Sequence, residues 1–407
     1  MRVLMVNDYF GCSSGACTVA WELSGELIAR GHEVAFLCAT EDKAEAGQWD
    51  IDGREVVLLH ARTPMRLRPL LTIYHPGLVR RALASAEAFR PDIVHGLIFH
   101  HHFSFGLVRG LDRRGWPVIF HAHDKGIFCP TKYTCQPLDD PARPASAFDC
   151  LACQRLRYLP GRASLTTALV NRHVKAVVAV SDSLAGILEA NGVQNVSIIH
   201  AGLDPKKIAD RGWSGERFRS RLGLGDEPLI LFGGRFQKEK GDEAALRALA
   251  LIDPALGARL VIAGRRELFG PRLRRLATEL DLTDRVVLAG WLDWEQMLGA
   301  FRAVQVVLVP SLCADSLPLI NLEAMALGLP VVGTCFGGTL EAVLDGVTGF
   351  IVDPRRPQEV AERLGRLLAD EALAEQMGQA GASRLAEKFS LSAQADRFEE
   401  LYRRWGR

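Results

Sequence analysis

The sequence predicts an α/β protein of two doubly wound, Rossmann-like domains, and three observations carry that prediction. Short apolar runs bounded by polar or turn residues alternate with amphipathic segments from end to end, the pattern of parallel βαβ units. The alternation comes in two series, separated by a stretch rich in Gly, Pro and charge, AGLDPKKIADRGWSGERFRSRLGLGDE, that reads as a surface connection. A chain of 407 residues is too long for one ordinary core and suits two domains of about 200 residues each.

The first series opens with RVLMVN, a buried strand, followed by the helical ACTVAWELSGELIARG and the strand HEVAFLCA. PDIVHGL, PVIFHAH and AVVAVS continue the sheet, giving a first domain over 1–203 with a cysteine-bearing insert at about 124–160. In the second series PLILFGGR, ARLVIAG, RVVLAG, AVQVVLVPS and PVVGT read as strands. GDEAALRALALI, PRLRRLATELD, WEQMLGAFR and LINLEAMALG read as the helices between them, giving a second domain over 204–386. Residues 387–407 have helix periodicity and are expected to cross back to the first domain. Open parallel sheets bind ligands beyond the carboxyl ends of their strands, so two facing sheets are expected to enclose a cleft.

Composition excludes several classes. Hydrophobic residues at 48% and charged residues at 24% suit folded cores and not disorder. Basic and acidic residues number 49 and 48, so no global field recruits nucleic acid. MRVLMVND runs straight into a strand without the regions of a signal peptide, which predicts a cytoplasmic protein. No apolar run approaches the roughly 20 residues that span a bilayer, which leaves at most peripheral membrane contact. Nine cysteines, an odd number, favour thiols or metal ligands over a disulfide framework.

Two motifs carry chemistry. LFGGRFQKEKG ends a strand with Gly233 and Gly234 and then supplies Arg235, Lys238 and Lys240 before Gly241. Backbone amides beside cations suit a diphosphate; a solvated basic turn is the plainer reading, and the spacing is not that of a Walker loop. PSLCADSLPLINLEAMALGLPVVG places Asp315 at a strand end and Glu323 about two helical turns on, where both would face one ligand. Carboxylates accept hydrogen bonds from the vicinal hydroxyls of ribose and sugars. An acid complementing a helix dipole would account for Asp315 but not for Glu323.

With these motifs in place, the stretches GGRFQKEKG, AGW and PSLCADSLPLINLEAMALGLPVVGTCFGGTLEAVLDGVTGFIVDP resemble the C-terminal half of the family 4 retaining glycosyltransferases, which have the GT-B fold. The family's E-x7-E motif stands here as D-x7-E, from Asp315 to Glu323. The resemblance implies that Arg235 and Lys240 bind the donor diphosphate and that Glu323 holds the ribose hydroxyls. It also implies that the loop of Ser316, Leu317, Pro318 and Leu319, up to Ile320, meets sugar and phosphate, and that Gly234, Gly264 and Trp291 line the donor site. Asp315, one methylene shorter than the family's Glu, would then grip the sugar end of the nucleotide-sugar.

More loosely, GHEV, PDIVH, the His123–Asp124 pair and VVAVSDSLAGIL resemble segments of the family's first domain, which implies that His123 lies beside donor sugar and acceptor. His121 and His123 are expected to face opposite sides of their strand, so that only one meets the ligand. In the first βα turn, FGCSSGACT, Gly11 and Gly15 would allow a phosphate or acceptor close to the backbone, although a plain turn explains the loop almost as well. The departures from the family pattern are Asp315 itself, DSLPL in place of ExFGL, IAGRREL without its second glycine, and HAGLD in place of NG.D.

The activity implied is transfer of a sugar, most simply from a UDP- or GDP-sugar, to a sugar, lipid-linked or other hydroxyl acceptor in polysaccharide, glycolipid or glycoconjugate synthesis. The resemblance implies retention of anomeric configuration by front-face attack. No second carboxylate marks a double-displacement pair, and Arg235 and Lys240 would stabilise the departing diphosphate. The resemblance implies that no cofactor is required for this chemistry, and no DxD motif in a plausible place calls for a metal. The rival readings are a sugar-nucleotide epimerase on the same architecture and a non-catalytic nucleotide-sugar-binding module.

Three further stretches stand out. Cys129, Cys135, Cys150 and Cys153, the last pair in C-x-x-C spacing, suit a structural zinc or iron–sulfur site, with four reduced thiols as the alternative. Residues 62–84 mix Arg66, Arg68, Arg80 and Arg81 with apolar side chains. They would touch anionic lipid or form an amphipathic helix packed on its own domain, the commoner outcome. His100 to His102 are read as lining the site, because consecutive residues do not converge on a metal.

Overall fold

All ten apolar runs singled out above are strands in the computed structural model, which describes residues 1–407 apart from 12–14, 131–139, 141–142, 145, 156–157, 210–211 and 235. The chain forms two units, Met1–Gly202 with Leu391–Arg407, and Leu203–Ser390.

Unit 1 holds an eight-stranded sheet: β1 Arg2–Asn7, β2 Glu33–Thr40, β3 Gly47–Ile51, β4 Arg54–His60, β5 Ile93–Gly96, β6 Val118–Ala122, β7 Ala176–Ala179 and β8 Val196–Ile198. The order is β3-β4-β2-β1-β5-β6-β7-β8. Pairing is parallel except at the β3–β4 hairpin. The sequence reading passed over that hairpin, although the Asp52-Gly53 step announces it: both residues have positive φ, 51° and 72°, as a two-residue hairpin turn with the twist of its strands requires. β3 is mostly exposed and β8 is only half-buried, which is why neither reads as an apolar run.

Unit 2 holds six parallel strands, β9 Leu229–Phe232, β10 Arg259–Ala263, β11 Val286–Gly290, β12 Val306–Val309, β13 Val331–Thr334 and β14 Gly349–Val352, in the order β11-β10-β9-β12-β13-β14. β9 and β12 are buried throughout because helices cover both faces. On one face Phe232, Leu260 and Ile262 pack with Leu246, Leu249, Val360 and Leu364.

The C-terminal helix Leu391–Trp405 belongs to unit 1. It buries Leu391, Gln394, Ala395, Phe398 and Tyr402, an i, i+3, i+4 stripe, and three of these join Val3, Met5, Leu23 and Leu27 in one core cluster. Arg30 clamps the helix from outside with bonds to Asp396 at 2.5 Å and to Ser392 Oγ at 2.7 Å.

The basic stretch divides in two. Helix Pro76–Phe89 buries Leu78, Val79, Ala82, Leu83, Ala86 and Phe89 and turns Arg80 and Arg81 outward, which is the packed amphipathic outcome. Upstream of it, Met65, Leu67, Leu70 and Tyr74 are each about half exposed, at 51, 49, 56 and 54%.

Candidate active site

In unit 2 the chain runs from β9 to β10 and β11 on one side and from β12 to β13 and β14 on the other, so β9 and β12 flank the point where strand order reverses. The loops leaving two such strands part to opposite faces and open a crevice at their carboxyl ends. Both sequence motifs lie there: Gly233 and Gly234 follow β9, and Ser311 to Pro318 follow β12.

The two loops are tied together by charge. Lys240 Nζ meets both carboxylate oxygens of Asp315, at 2.5 Å to Oδ1, and Ser311 Oγ donates to Oδ2 at 2.9 Å. Asp315 is buried, at 7% exposure, so the ion pair offsets desolvation that neither charge would bear alone. Gly241, in a left-handed conformation, makes this approach feasible: a Cβ there would lie 1.9 Å from the Pro310 carbonyl oxygen. The motif reading put Lys240 on phosphate and Asp315 on sugar; the structure brings the two side chains to each other. Arg235 lies outside the described residues.

Sequence reasoning missed the support for this loop. An added Cβ on Gly337 would lie 2.3 Å from the Asp315 carbonyl oxygen, and one on Gly338 would lie 1.9 Å from that of Ser316. Gly338 N–H donates to Asp315 O at 2.8 Å, so the loop after β13 is pressed directly against the backbone that carries the acid. Two adjacent glycines in TCFGGT were the available signal. Ser311 and Thr334 were missed as well; Thr334 Oγ1 donates to Ser311 O at 2.8 Å.

Helix Leu319–Ala326 starts behind Pro318, and among the described residues no side chain caps its first turn, where an α-helix has backbone N–H groups without intrahelical partners and the positive end of its dipole. Ser316, Pro318 and Leu319 are half-buried there and Leu317 is buried. Glu323, one turn further on, is half-buried, and burial raises its carboxyl from the ordinary 4.5 to about 7. Gly264 follows β10, its N–H bonded to Gly290 O at 2.8 Å, with open space where a side chain would stand. Trp291 follows the edge strand β11 and is 66% exposed, with the Arg265 guanidinium 6.0 Å from its ring. Gly264 therefore borders the crevice strand β9, whereas Trp291 lies two strands from it.

In unit 1 the reversal falls between β1 and β5. Asp8, fully buried after β1, accepts N–H bonds from His101 at 2.6 Å, His102 at 3.0 Å and Phe103 at 2.6 Å and so pins the loop after β5. His101 and His102 turn to separate partners, Arg68 and Thr63. Gly15 begins the helix Gly15–Ala29 and is exposed.

His123 follows β6, and burial lowers its pKa to about 4 and so keeps the ring neutral, against the opposing pull of Asp124. The expectation that His121 and His123 face opposite sides is overturned: their rings lie 4.2 Å apart. Side chains two residues apart on extended backbone share a face.

Cys129, Cys150 and Cys153 are half-buried thiols, and burial followed by the neighbouring Cys129 and Cys153 raises Cys150. Cys135 lies outside the described residues, and among the described residues no group of ligand atoms within one metal's reach includes a cysteine.

Two Rossmann-like units with a C-terminal helix define the GT-B fold of glycosyltransferases. Residues 215–384 match the family described as Glycosyl transferases group 1, and residues 13–207 that described as Glycosyltransferase Family 4. D-inositol 3-phosphate glycosyltransferase 1 of Catenulispora acidiphila is 30% identical over 324 residues, which cover 77% of this chain and 72% of that protein. The chain belongs to the glycosyl transferases group 1 family. It spans about half the length of several other curated relatives it matches. Among solved structures, sucrose-phosphate synthase from Thermosynechococcus elongatus matches with a TM-score of 0.78 at 22% identity, covering 99% of this chain and 98% of that one. Anabaena Alr3699/HepE in complex with UDP-glucose matches with a TM-score of 0.73 at 19% identity, covering 99% and 100%.

The raised pKa of Glu323 has a measurable consequence. Between the ordinary value of 4.5 and about 7 the folded protein binds the Glu323 proton more tightly than the unfolded chain does, so this residue's contribution to stability is full below 4.5 and is lost as pH rises through 7. Chemical denaturation across this range is expected to show a steeper fall in stability for wild type than for Glu323→Gln; identical slopes would mean that the carboxyl is solvated.

Proposed function

We propose that this protein is a retaining glycosyltransferase that takes a sugar from a UDP- or GDP-sugar and transfers it to a hydroxyl acceptor in polysaccharide, glycolipid or glycoconjugate synthesis. The observation that carries the proposal is the Lys240–Asp315 pair beside the uncapped helix start and Glu323, all at the strand-order reversal of unit 2. The UDP-glucose named for Alr3699/HepE supports the same class of donor.

Each group has a task in this reading. Uncapped N–H groups and the ammonium of Lys240 receive the diphosphate, with Arg235 assigned beside them. Asp315 holds Lys240 in place before the donor arrives, so its charge is already oriented toward the charge that grows on the leaving phosphate. Glu323 receives the ribose diol. Asp315 is committed to Lys240 and Ser311, which favours front-face attack over attack by a carboxylate nucleophile. Neutral His123 is assigned to a hydroxyl of the reacting sugars.

The acceptor is proposed to sit on an anionic membrane surface. Met65, Leu67, Leu70 and Tyr74 are exposed beside Arg62 and Arg66, and from Arg62 to Ala86 the sequence contains no acid. Among the described residues no helix is long and apolar enough to cross a membrane. The cysteine loop is proposed to be structural, holding zinc or iron–sulfur on Cys129, Cys135, Cys150 and Cys153. Arg162 is buried beside this loop, its guanidinium donating to Thr72 Oγ1 and Phe128 O, and burial lowers its pKa to about 10, partly opposed by neighbouring Cys129.

Calorimetry with UDP, GDP, ADP and TDP and their common sugars is expected to show selective binding of one base. Glu323→Ala should weaken that binding about tenfold or more, on the scale of hydrogen bonds to a charged group, and Lys240→Ala should lower both binding and turnover. Affinity should rise with pH through about 7 in wild type and stay flat in Glu323→Gln; unchanged affinity in all three variants would remove the donor site from this location. Cosedimentation should recover the protein with phosphatidylglycerol vesicles and not with phosphatidylcholine vesicles, and Leu67→Ser with Leu70→Ser should abolish recovery; equal recovery on both lipids would end the membrane proposal. Elemental analysis of anaerobically purified protein should find zinc or iron, and absence of both would leave reduced thiols.

A further inference from the structure

Unit 1 contains a buried chain of hydrogen bonds that the function above does not use. Phe398 and Tyr402 lie one turn apart on the C-terminal helix, both fully buried. Tyr402 Oη is 2.6 Å from His95 Nδ1, and His95 Nε2 is 3.1 Å from His121 Nδ1. Strand register explains the meeting: His95 on β5 is the partner of Ile119 on β6, so His95, Ile119 and His121 point to one face. Phe398 covers both imidazoles, with ring centroids 4.8 Å from each. His121 then packs against His123 at 4.2 Å.

The protons on this chain can be counted. Burial keeps both imidazoles neutral and the phenol protonated, and a neutral imidazole has one N–H and one bare nitrogen. Two arrangements make both bonds. In one, Tyr402 donates to His95 Nδ1, His95 Nε2–H donates to His121 Nδ1, and His121 carries its proton on Nε2. In the other every bond runs backward, which strands the Tyr402 hydroxyl proton and leaves His121 Nε2 bare. Among the described residues the buried His121 Nε2 has no hydrogen-bond partner, so the forward arrangement leaves one buried group unmet and the reverse leaves two. The forward direction therefore costs less.

We propose that Tyr402 is a positioning residue: its hydroxyl sets His95 and then His121 to the Nε2–H tautomer and thereby fixes the ring on which His123 rests. The C-terminal helix thus reaches the candidate active-site histidine through one hydroxyl and two imidazoles. The catalytic importance of this rests on the reading of His123 given above; the hydrogen-bond direction does not.

Tyr402→Phe keeps the ring and removes only the hydroxyl. Long-range proton–nitrogen correlation spectra of the full-length, nitrogen-15-labelled protein report histidine tautomers directly, with assignments from His95→Gln and His121→Gln. Wild type is expected to show Nε2–H at both His95 and His121, and Tyr402→Phe is expected to release both from that single tautomer. Turnover should fall about tenfold, the scale of one neutral hydrogen bond, while nucleotide affinity stays at the wild-type value. Phe398→Leu, which loosens packing but leaves the hydroxyl, should lower the melting temperature without changing either tautomer. Nδ1–H at either histidine of wild type, unchanged tautomers in Tyr402→Phe, or changed tautomers with unchanged turnover would each overturn the proposal. Should wild type bind no nucleotide at all, the donor reading fails, and the spectra still decide the direction of the chain.

Discussion

Parallel pairing is the constraint from which the rest follows. A parallel strand cannot be reached by a tight turn, so each connection must cross back over a face of the sheet, usually as a helix. Every strand of unit 2 then ends at the same edge, and every loop that carries chemistry starts there. The reversal of winding between β9 and β12 chooses which two loops face one another. Lys240 and Asp315, 75 residues apart, meet for that reason.

Both units use buried charge at this edge, but they satisfy it differently. Asp8 is met by three backbone N–H groups, a fixed and neutral cradle that orders a loop. Asp315 is met by a movable ammonium and a hydroxyl. Among the described residues no ammonium or hydroxyl is bonded to Glu323, which burial pushes toward its protonated form. The first arrangement serves architecture. The second ties two loops together by charge and the third holds a carboxyl displaced from its ordinary pKa, which is the character of a site and not of a core.

The regular elements were legible because burial on both faces writes strands as continuous apolar runs. The hairpin β3–β4 escaped because its outer strand is exposed and only the Asp52-Gly53 step marks it. At the candidate site, Asp315, Lys240 and Glu323 could be named from residue type and spacing. Their pairing could not, because it depends on the order of β9 and β12, which is a property of the whole sheet. Gly337 and Gly338 stood in plain view, yet their role appears only once the loop after β13 lies on the backbone of Asp315 and Ser316. His121 and His123 were misjudged for a simpler reason, a strand periodicity applied in the wrong sense.

The placement of Leu391–Arg407 in unit 1 also bears on how the chain is made. Ala395, Phe398 and Tyr402 complete a core whose other members begin at Val3, so the whole stretch between them must leave the ribosome before that core can close. Unit 2 lies wholly within the intervening stretch and is free to fold first. Within this stretch synthesis therefore runs opposite to the usual vectorial order: the unit begun before unit 2 is finished after it, and in the interval its apolar sheet face is a natural client for chaperones.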